Sequence, residues 1–182
     1  MKQAAIFLDR DGTIIKDVGY IKNSNEVEFF PETFTTLLKL QSNFLLFIIT
    51  NQSGISKGFT TENEVMQVNN YIVAELKSKG IIITEVYCCP HSNEDNCYCK
   101  KPKPYFIEEA AKAYNLDLAN SYILGDHPSD VYCGLNAKVT PIYVLTGHGE
   151  MHRKSLVSDC YVRSNIAEAS ELIQARIYQK QF

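Results

Sequence analysis

Five short apolar runs, at 4–8, 44–49, 81–87, 121–124 and 141–145, alternate along this chain with segments of helical periodicity. Each run is bounded by polar or glycine-containing residues, as expected of strands buried on both faces. Between them, Phe34, Leu37 and Leu38 are spaced to share one helix face, and Val65, Val68, Ile72 and Leu76 another. Strands that alternate with helices predict a parallel sheet covered on both sides, an α/β chain in three layers. At 182 residues the expectation is one domain spanning 1–182.

Helix boundaries carry chemical signatures. Thr61 with Glu64 fits a capping box, and Asn165 with Glu168 fits one less strictly. Pro104 and Pro128 stand where a first-turn proline is tolerated. The helix after Pro104 would carry Ile107, Ala110, Ala111 and Tyr114, and the one after Pro128 would carry Val131 and Leu135. A last helix would bury Ala169, Leu172, Ile173 and Ile177. Two irregular stretches, 12–31 and 90–102, are long enough for functional loops in a compact domain.

In open parallel sheets ligands bind beyond the carboxyl ends of the strands. Here the first run ends at Asp9-Arg10-Asp11-Gly12-Thr13 and the second at Thr50-Asn51-Gln52-Ser53-Gly54. The third leads into Lys100-Lys101, and the fourth ends at Gly125-Asp126, with Asp130 four residues on. Taken singly, each is more often a turn, a helix cap or a solvated pair. Together they gather carboxylates, a hydroxyl and a lysine along one edge. That inventory suits phosphoryl transfer to a carboxylate assisted by a hard divalent cation. Asp9 would attack phosphorus and Asp11 would handle the leaving-group proton. Magnesium would take oxygens from Asp9, Asp126 and the Asp11 segment, with Asp130 in support. Lys101 and Thr50 would hold the non-bridging oxygens.

The cysteines add a second pattern. Cys89-Pro90-His91 and Cys97-Tyr98-Cys99 place four soft donors within 89–99, each pair spaced i, i+2. Three thiolates and an imidazole make a closed tetrahedral zinc set, structural rather than catalytic. A disulfide and free thiols are the alternatives, and Cys88, Cys133 and Cys160 read as buried or incidental. The first nine residues reach a carboxylate too early for a secretory signal, so a cytoplasmic, reducing compartment is expected.

Charge narrows the partners. The net charge of −3 comes without any basic run, which argues against a nucleic-acid backbone as main ligand. No stretch approaches the roughly 20 apolar residues of a membrane span. The expectation is therefore a monomer acting on a small molecule, with no nucleic acid or membrane partner.

The motifs Asp9-Arg10-Asp11-Gly12-Thr13, Ile49-Thr50-Asn51-Gln52, Lys101-Pro102 and Gly125-Asp126 with Asp130 resemble, in order, the four motifs of the haloacid dehalogenase superfamily. The resemblance implies a Rossmann-like core, and the sequence holds no sizeable insertion from which a large cap domain would be built. It implies Asp9 as the phosphorylated nucleophile, Asp11 as acid then base, Thr50 and Lys101 as phosphoryl stabilisers, and Asp126 as a magnesium ligand. Within the superfamily the zinc loop resembles heptose 1,7-bisphosphate phosphatases and the related histidinol-phosphate phosphatases. Residues 17–21 and 50–59 are similar to substrate loops of the heptose branch. That likeness implies sugar or phosphate contacts from Asp17, Gly19, Tyr20, Asn51, Gln52, Ser53 and Lys100, with His127 beside them. The chain departs from the branch at Lys100, where arginine is usual, and at His127, where lysine is usual. Lysine lacks the planar fork that grips a phosphate bidentately. The zinc loop is also short, which resembles the histidinol-phosphate branch, so histidinol-phosphate hydrolysis is the competing enzyme reading. A phosphosugar-binding protein without catalysis is the alternative of a different class.

Overall fold

The computed structural model describes residues 2–156 and 160–179. Six parallel strands form one sheet: β1 (Ala5–Leu8), β2 (Leu45–Asn51), β3 (Ile83–Cys89), β4 (Tyr122–Gly125), β5 (Thr140–Val144) and β6 (Tyr161–Arg163). Their order is β3-β2-β1-β4-β5-β6, so the chain builds outward from β1 on one side and then returns to build outward on the other. The crevice lies at that reversal, beyond the ends of β1, β2 and β4. Six helices connect or follow the strands: α1 (Thr33–Leu40), α2 (Glu62–Ser78), α3 (Tyr105–Tyr114), α4 (Pro128–Ala137), α5 (Gly149–His152) and α6 (Ile166–Gln179). No helix among the described residues is long and apolar enough to cross a membrane.

The five expected strands lie within a few residues of the apolar runs. β6 is a correction: Tyr161-Val162-Arg163 contains no apolar run, and the strand exists because it pairs with the edge of β5. Strand side chains alternate between two cores. Ile6 and Leu8 face α1, α2 and α6 residues such as Leu37, Val68 and Ala169. Ala5 and Phe7 face Ile107, Ala110 and Cys133 of α3 and α4. A strand buried on both faces must therefore be apolar throughout, which is why β1 reads as an unbroken run.

Val65, Val68, Ile72 and Leu76 are all buried on α2. Thr61 Oγ1 accepts from Glu64 N at 3.2 Å, while the Glu64 carboxylate accepts from Thr61 N at 2.7 Å, closing the capping box. Pro128 opens α4, whereas Pro104 precedes α3 by one residue. Asn165 Oδ1 accepts from Glu168 N, but the Glu168 carboxylate turns to Ser164 N rather than to Asn165. Two apolar helix residues fall outside the buried stripes: Leu38, expected on the face of Phe34 and Leu37, is 40% exposed, and Leu135 is 39% exposed. On α1 the inward stripe runs through Thr33, Thr36, Leu37 and Leu40 instead, rotating Leu38 outward.

Candidate active site

Beyond the strand ends lies an open cleft of about 640 Å³. Its walls include every residue that the sequence suggested for catalysis, substrate contact or magnesium: Asp9, Asp11, Thr50, Lys101, Asp17, Gly19, Tyr20, Asn51, Gln52, Ser53, Lys100, Asp126, His127 and Asp130. The first carboxylate follows β1 directly, and Asp9 N donates to Leu124 O of β4 at 2.8 Å. Asp126 follows β4, and Asp130 projects from the first turn of α4. Oxygens of Asp9, Asp126 and Asp130 all lie within 4.8 Å of one another.

Lys101 is the cation at the centre of this group. Its Nζ stands 2.5 Å from Asp9 Oδ1 and 2.6 Å from Asp130 Oδ1, and donates to Ile49 O at 2.8 Å. Only 4% of the residue is exposed. Burial alone would lower the ammonium's pKa, but Asp130 and Asp9 reverse this and hold it above the ordinary lysine value. Three buried carboxylates against one ammonium leave negative charge in excess. Burial, with Asp130 and Asp126 adding to it, pushes Asp9 well above the ordinary carboxylate value despite Lys101. Asp126 is raised to about 6, first by burial and then by Asp130. An all-oxygen cluster with uncompensated charge is the chemistry that a hard divalent cation fits.

Two glycines make room for these carboxylates. A Cβ at Gly12 would sit 2.1 Å from Asp126 Oδ2, and one at Gly147 would sit 2.2 Å from the same oxygen. Both glycines have φ in the left-handed region, +77° and +54°, where side chains are disfavoured.

The Asp11 side chain stands apart from the three-carboxylate group. Its oxygens accept from Arg10 Nε and Nη2 at 3.0 and 2.9 Å and from Gln52 Nε2 at 2.8 Å. Gln52 Nε2 also donates to Thr50 Oγ1 at 2.7 Å, so the Gln52 amide links the two. Asn51 likewise turns inward, with Nδ2 donating to Lys101 O at 3.2 Å and Oδ1 accepting from Lys101 N at 3.1 Å. Lys100 Nζ donates to His91 O at 3.0 Å. Tyr20 packs its ring 4.8 Å from Phe59 at the cleft wall. His127 caps α4, Nδ1 accepting from Ser129 N at 3.2 Å, and burial lowers its pKa below the ordinary imidazole value.

The sequence reading passed over His148, whose N–H donates to Asp126 Oδ2 at 2.8 Å and whose Nδ1 lies 3.2 Å from Asp17 Oδ2. It also passed over Asn93 and Ser129 in the cleft wall. The rule that ligands gather at strand carboxyl ends, applied to β5 as well, would have pointed to His148.

The cysteine loop forms a second cluster. Cys89 Sγ lies 3.2 Å from Cys99 Sγ and 3.6 Å from Cys97 Sγ, with Cys97 and Cys99 3.8 Å apart. His91 Nδ1 lies 3.6 Å from Cys89 Sγ and 3.4 Å from Cys99 Sγ. A disulfide would need about 2.0 Å between sulfurs. Thiolates about 2.3 Å from a tetrahedral zinc stand roughly 3.8 Å apart, near what is seen. The four donors therefore fit zinc, with His91 presenting Nδ1. Cys88 faces away into a groove between α2 and β3, and Cys133 is buried near Lys103 O. The loop ends two residues before Lys101.

Comparison with known proteins agrees with this geometry. The family model described as HAD-hydrolase-like matches residues 98–169. A D-glycero-beta-D-manno-heptose-1,7-bisphosphate 7-phosphatase of Helicobacter pylori is 42% identical over 137 residues, 74% of this chain and 79% of that protein. A 7-phosphatase of Campylobacter jejuni named for the alpha anomer is 39% identical, covering 80% of this chain and 84% of that one. The crystal structure of D,D-heptose 1,7-bisphosphate phosphatase from B. bronchiseptica, complexed with magnesium and phosphate, superposes with a TM-score of 0.88 at 26% identity. It covers 96% of this chain and 99% of that one. With its relatives, its fold and its ordered motifs in agreement, this chain belongs to the haloacid dehalogenase-like phosphatases, as a phosphoric monoester hydrolase.

Proposed function

We propose that residues 1–182 form one cytoplasmic phosphatase domain that removes the C7 phosphate of D-glycero-D-manno-heptose 1,7-bisphosphate. The reading also puts the enzyme in ADP-heptose synthesis for cell-envelope glycans. The observation that carries it is Asp9, a buried carboxylate facing Lys101 at the centre of a cleft, in a chain whose relatives are named for this reaction.

Asp9 attacks phosphorus, forming an aspartyl-phosphate as the bond to the C7 oxygen breaks. Asp11 gives its proton to that oxygen and the sugar leaves. Asp11 then takes a proton from water, whose oxygen attacks phosphorus and frees Asp9 and inorganic phosphate. Lys101 and Thr50 hold the non-bridging oxygens through the charge redistribution. Magnesium, for which Asp9, Asp126 and Asp130 are the donors at hand, would supply charge neutralisation at the phosphoryl oxygens. The B. bronchiseptica enzyme, crystallised with magnesium and phosphate, supports that choice of metal. Zinc on Cys89, His91, Cys97 and Cys99 would pin the loop that delivers Lys101, with no open position for substrate.

The test is phosphate release with magnesium from both anomers of the heptose bisphosphate, fructose 1,6-bisphosphate and histidinol phosphate. A preference for the heptose of about a hundredfold in kcat/KM, near 2.7 kcal/mol, is expected. Histidinol phosphate as the best substrate would overturn the substrate assignment, and no release from any ester would leave a binding protein.

A further inference from the structure

The chain buries an arginine beside its general acid. Arg10 is 1% exposed and, among the described residues, the largest fully buried side chain. A buried guanidinium is costly unless its donors are met. Its Nε and Nη2 meet the two oxygens of Asp11 as a fork, while Nη1 donates to Asn69 Oδ1 at 2.7 Å. Asn69 belongs to α2, four residues after Val65 and three before Ile72, beside the stripe that anchors the helix to the sheet. A contact therefore runs from a helix outside the reacting group, through one planar cation, to the carboxylate.

The two Asp11 oxygens are not equivalent. Oδ2 accepts from Arg10 Nε and Gln52 Nε2, with Thr50 Oγ1 a third donor at 3.4 Å. Oδ1, among the described residues, accepts from Arg10 Nη2 alone. A carboxylate oxygen has two lone pairs, so Oδ2 is saturated and Oδ1 keeps one free. A side-on fork also fixes the plane of the carboxylate, which a single ammonium donor does not.

We propose that Arg10 and Asn69 are positioning residues that orient Asp11, leaving Oδ1 as the atom that carries the transferred proton. This rests on the reading of Asp11 as general acid and base. In the first step the proton moves from Oδ1 to the leaving oxygen as the ester P–O bond breaks and the Asp9–phosphorus bond forms. In the second, Oδ1 takes a proton from water as the water oxygen bonds to phosphorus and the Asp9–phosphorus bond breaks. Arg10 and Asn69 touch neither substrate nor phosphorus.

Leaving-group dependence separates this role from simple support of the fold. A sugar phosphate needs its leaving oxygen protonated, whereas p-nitrophenyl phosphate leaves with little help. The measurement is kcat/KM for both esters, with magnesium, in the wild type, Asp11→Asn, Arg10→Lys, Asn69→Ala and Asn69→Asp. Thermal melting of each variant checks folding. Arg10→Lys keeps the charge and loses the fork, so it is expected to lower the sugar ester's kcat/KM about a hundredfold and the nitrophenyl ester's less than about threefold. Asn69→Ala should show the same selectivity with a loss of about tenfold, and Asn69→Asp, which keeps an acceptor, should return most of it. Equal losses on the two esters would overturn the proposal, as would a normal sugar-ester rate in Arg10→Lys where Asp11→Asn has lost it. An Asp11→Asn without leaving-group selectivity would remove Asp11 as the acid, and the relay with it.

Discussion

The carboxylate cleft and the cysteine loop are the two donor clusters among the described residues, and they are assembled in opposite ways. Cys89, His91, Cys97 and Cys99 come from one continuous stretch, so a turn of five residues suffices to bring them together. Asp9 follows β1, whereas Asp126 and Asp130, at the end of β4 and the start of α4, lie more than a hundred residues further along the chain. The three meet only because β4 returns to pair beside β1. The local cluster needs its donors to close its geometry. The distributed one is held by the sheet and stores uncompensated charge. Lys101 joins them, since it stands two residues after the last cysteine of the loop and its ammonium lies among the carboxylates.

That difference predicts separable failures. Asp9→Asn removes the proposed nucleophile while leaving the sheet intact, so turnover should fall below detection with an unchanged circular dichroism spectrum. Retained phosphate release would break the assignment of the cleft. Stripping metal from the loop, or Cys99→Ser, should act on both clusters at once. Losing about 2–3 kcal/mol of folding energy would lower Tm by roughly 5–10 °C, and activity should fall as Lys101 loses its anchor. Full activity after metal analysis confirms zinc removal would separate the two regions entirely.

Asn51→Ala sharpens the link between them. It deletes both side-chain hydrogen bonds to the Lys101 main chain, so a loss of about 1–2 kcal/mol in stability and about tenfold in kcat is expected. Calorimetry and steady-state kinetics on the same preparation check it; a changed KM with normal kcat would make Asn51 a substrate contact instead.

The smallest effect is a pH dependence confined to the cleft. The folded Asp126 pKa, about 6, is raised above the ordinary carboxylate value. The native state therefore holds this proton more tightly than the unfolded chain does. Asp126 then contributes stability that is present at low pH and lost as pH rises through about 6. In metal-free protein, Asp126→Asn should be more stable than wild type at pH 7 by urea denaturation, with the gap narrowing as pH falls through about 6 and closed only below about pH 4. A gap that widens on acidification would contradict the burial argument.

Much of this was legible from residue order, and the exceptions are instructive. β1 shows as a continuous run because both its faces are covered. The Thr61–Glu64 box marks a helix start through local hydrogen bonding, and Pro128 marks one through its fixed φ and missing N–H. Leu38 and Leu135 misled because a spacing of three or four defines a stripe but not which neighbours cover its margin. β6 left no signal because three residues at a sheet edge depend on β5 for their pairing. Asn51 and Gln52 lie in the cleft as their positions suggested, yet their amides reach Lys101, Asp11 and Thr50, an orientation no spacing reveals.

The sequence by itself determined the class of fold, the order of the motifs and the donor types of both clusters. These follow from hydrophobic periodicity and from side-chain chemistry, which are local properties of the chain. Only the tertiary structure decided which carboxylates share charge, that Lys101 stands between Asp9 and Asp130, and that a buried Arg10 is turned to Asp11. Those are matters of a few ångströms between residues remote in sequence or hidden by packing. They are set by the return of β4 to β1 and by the burial that makes each unpaired charge costly.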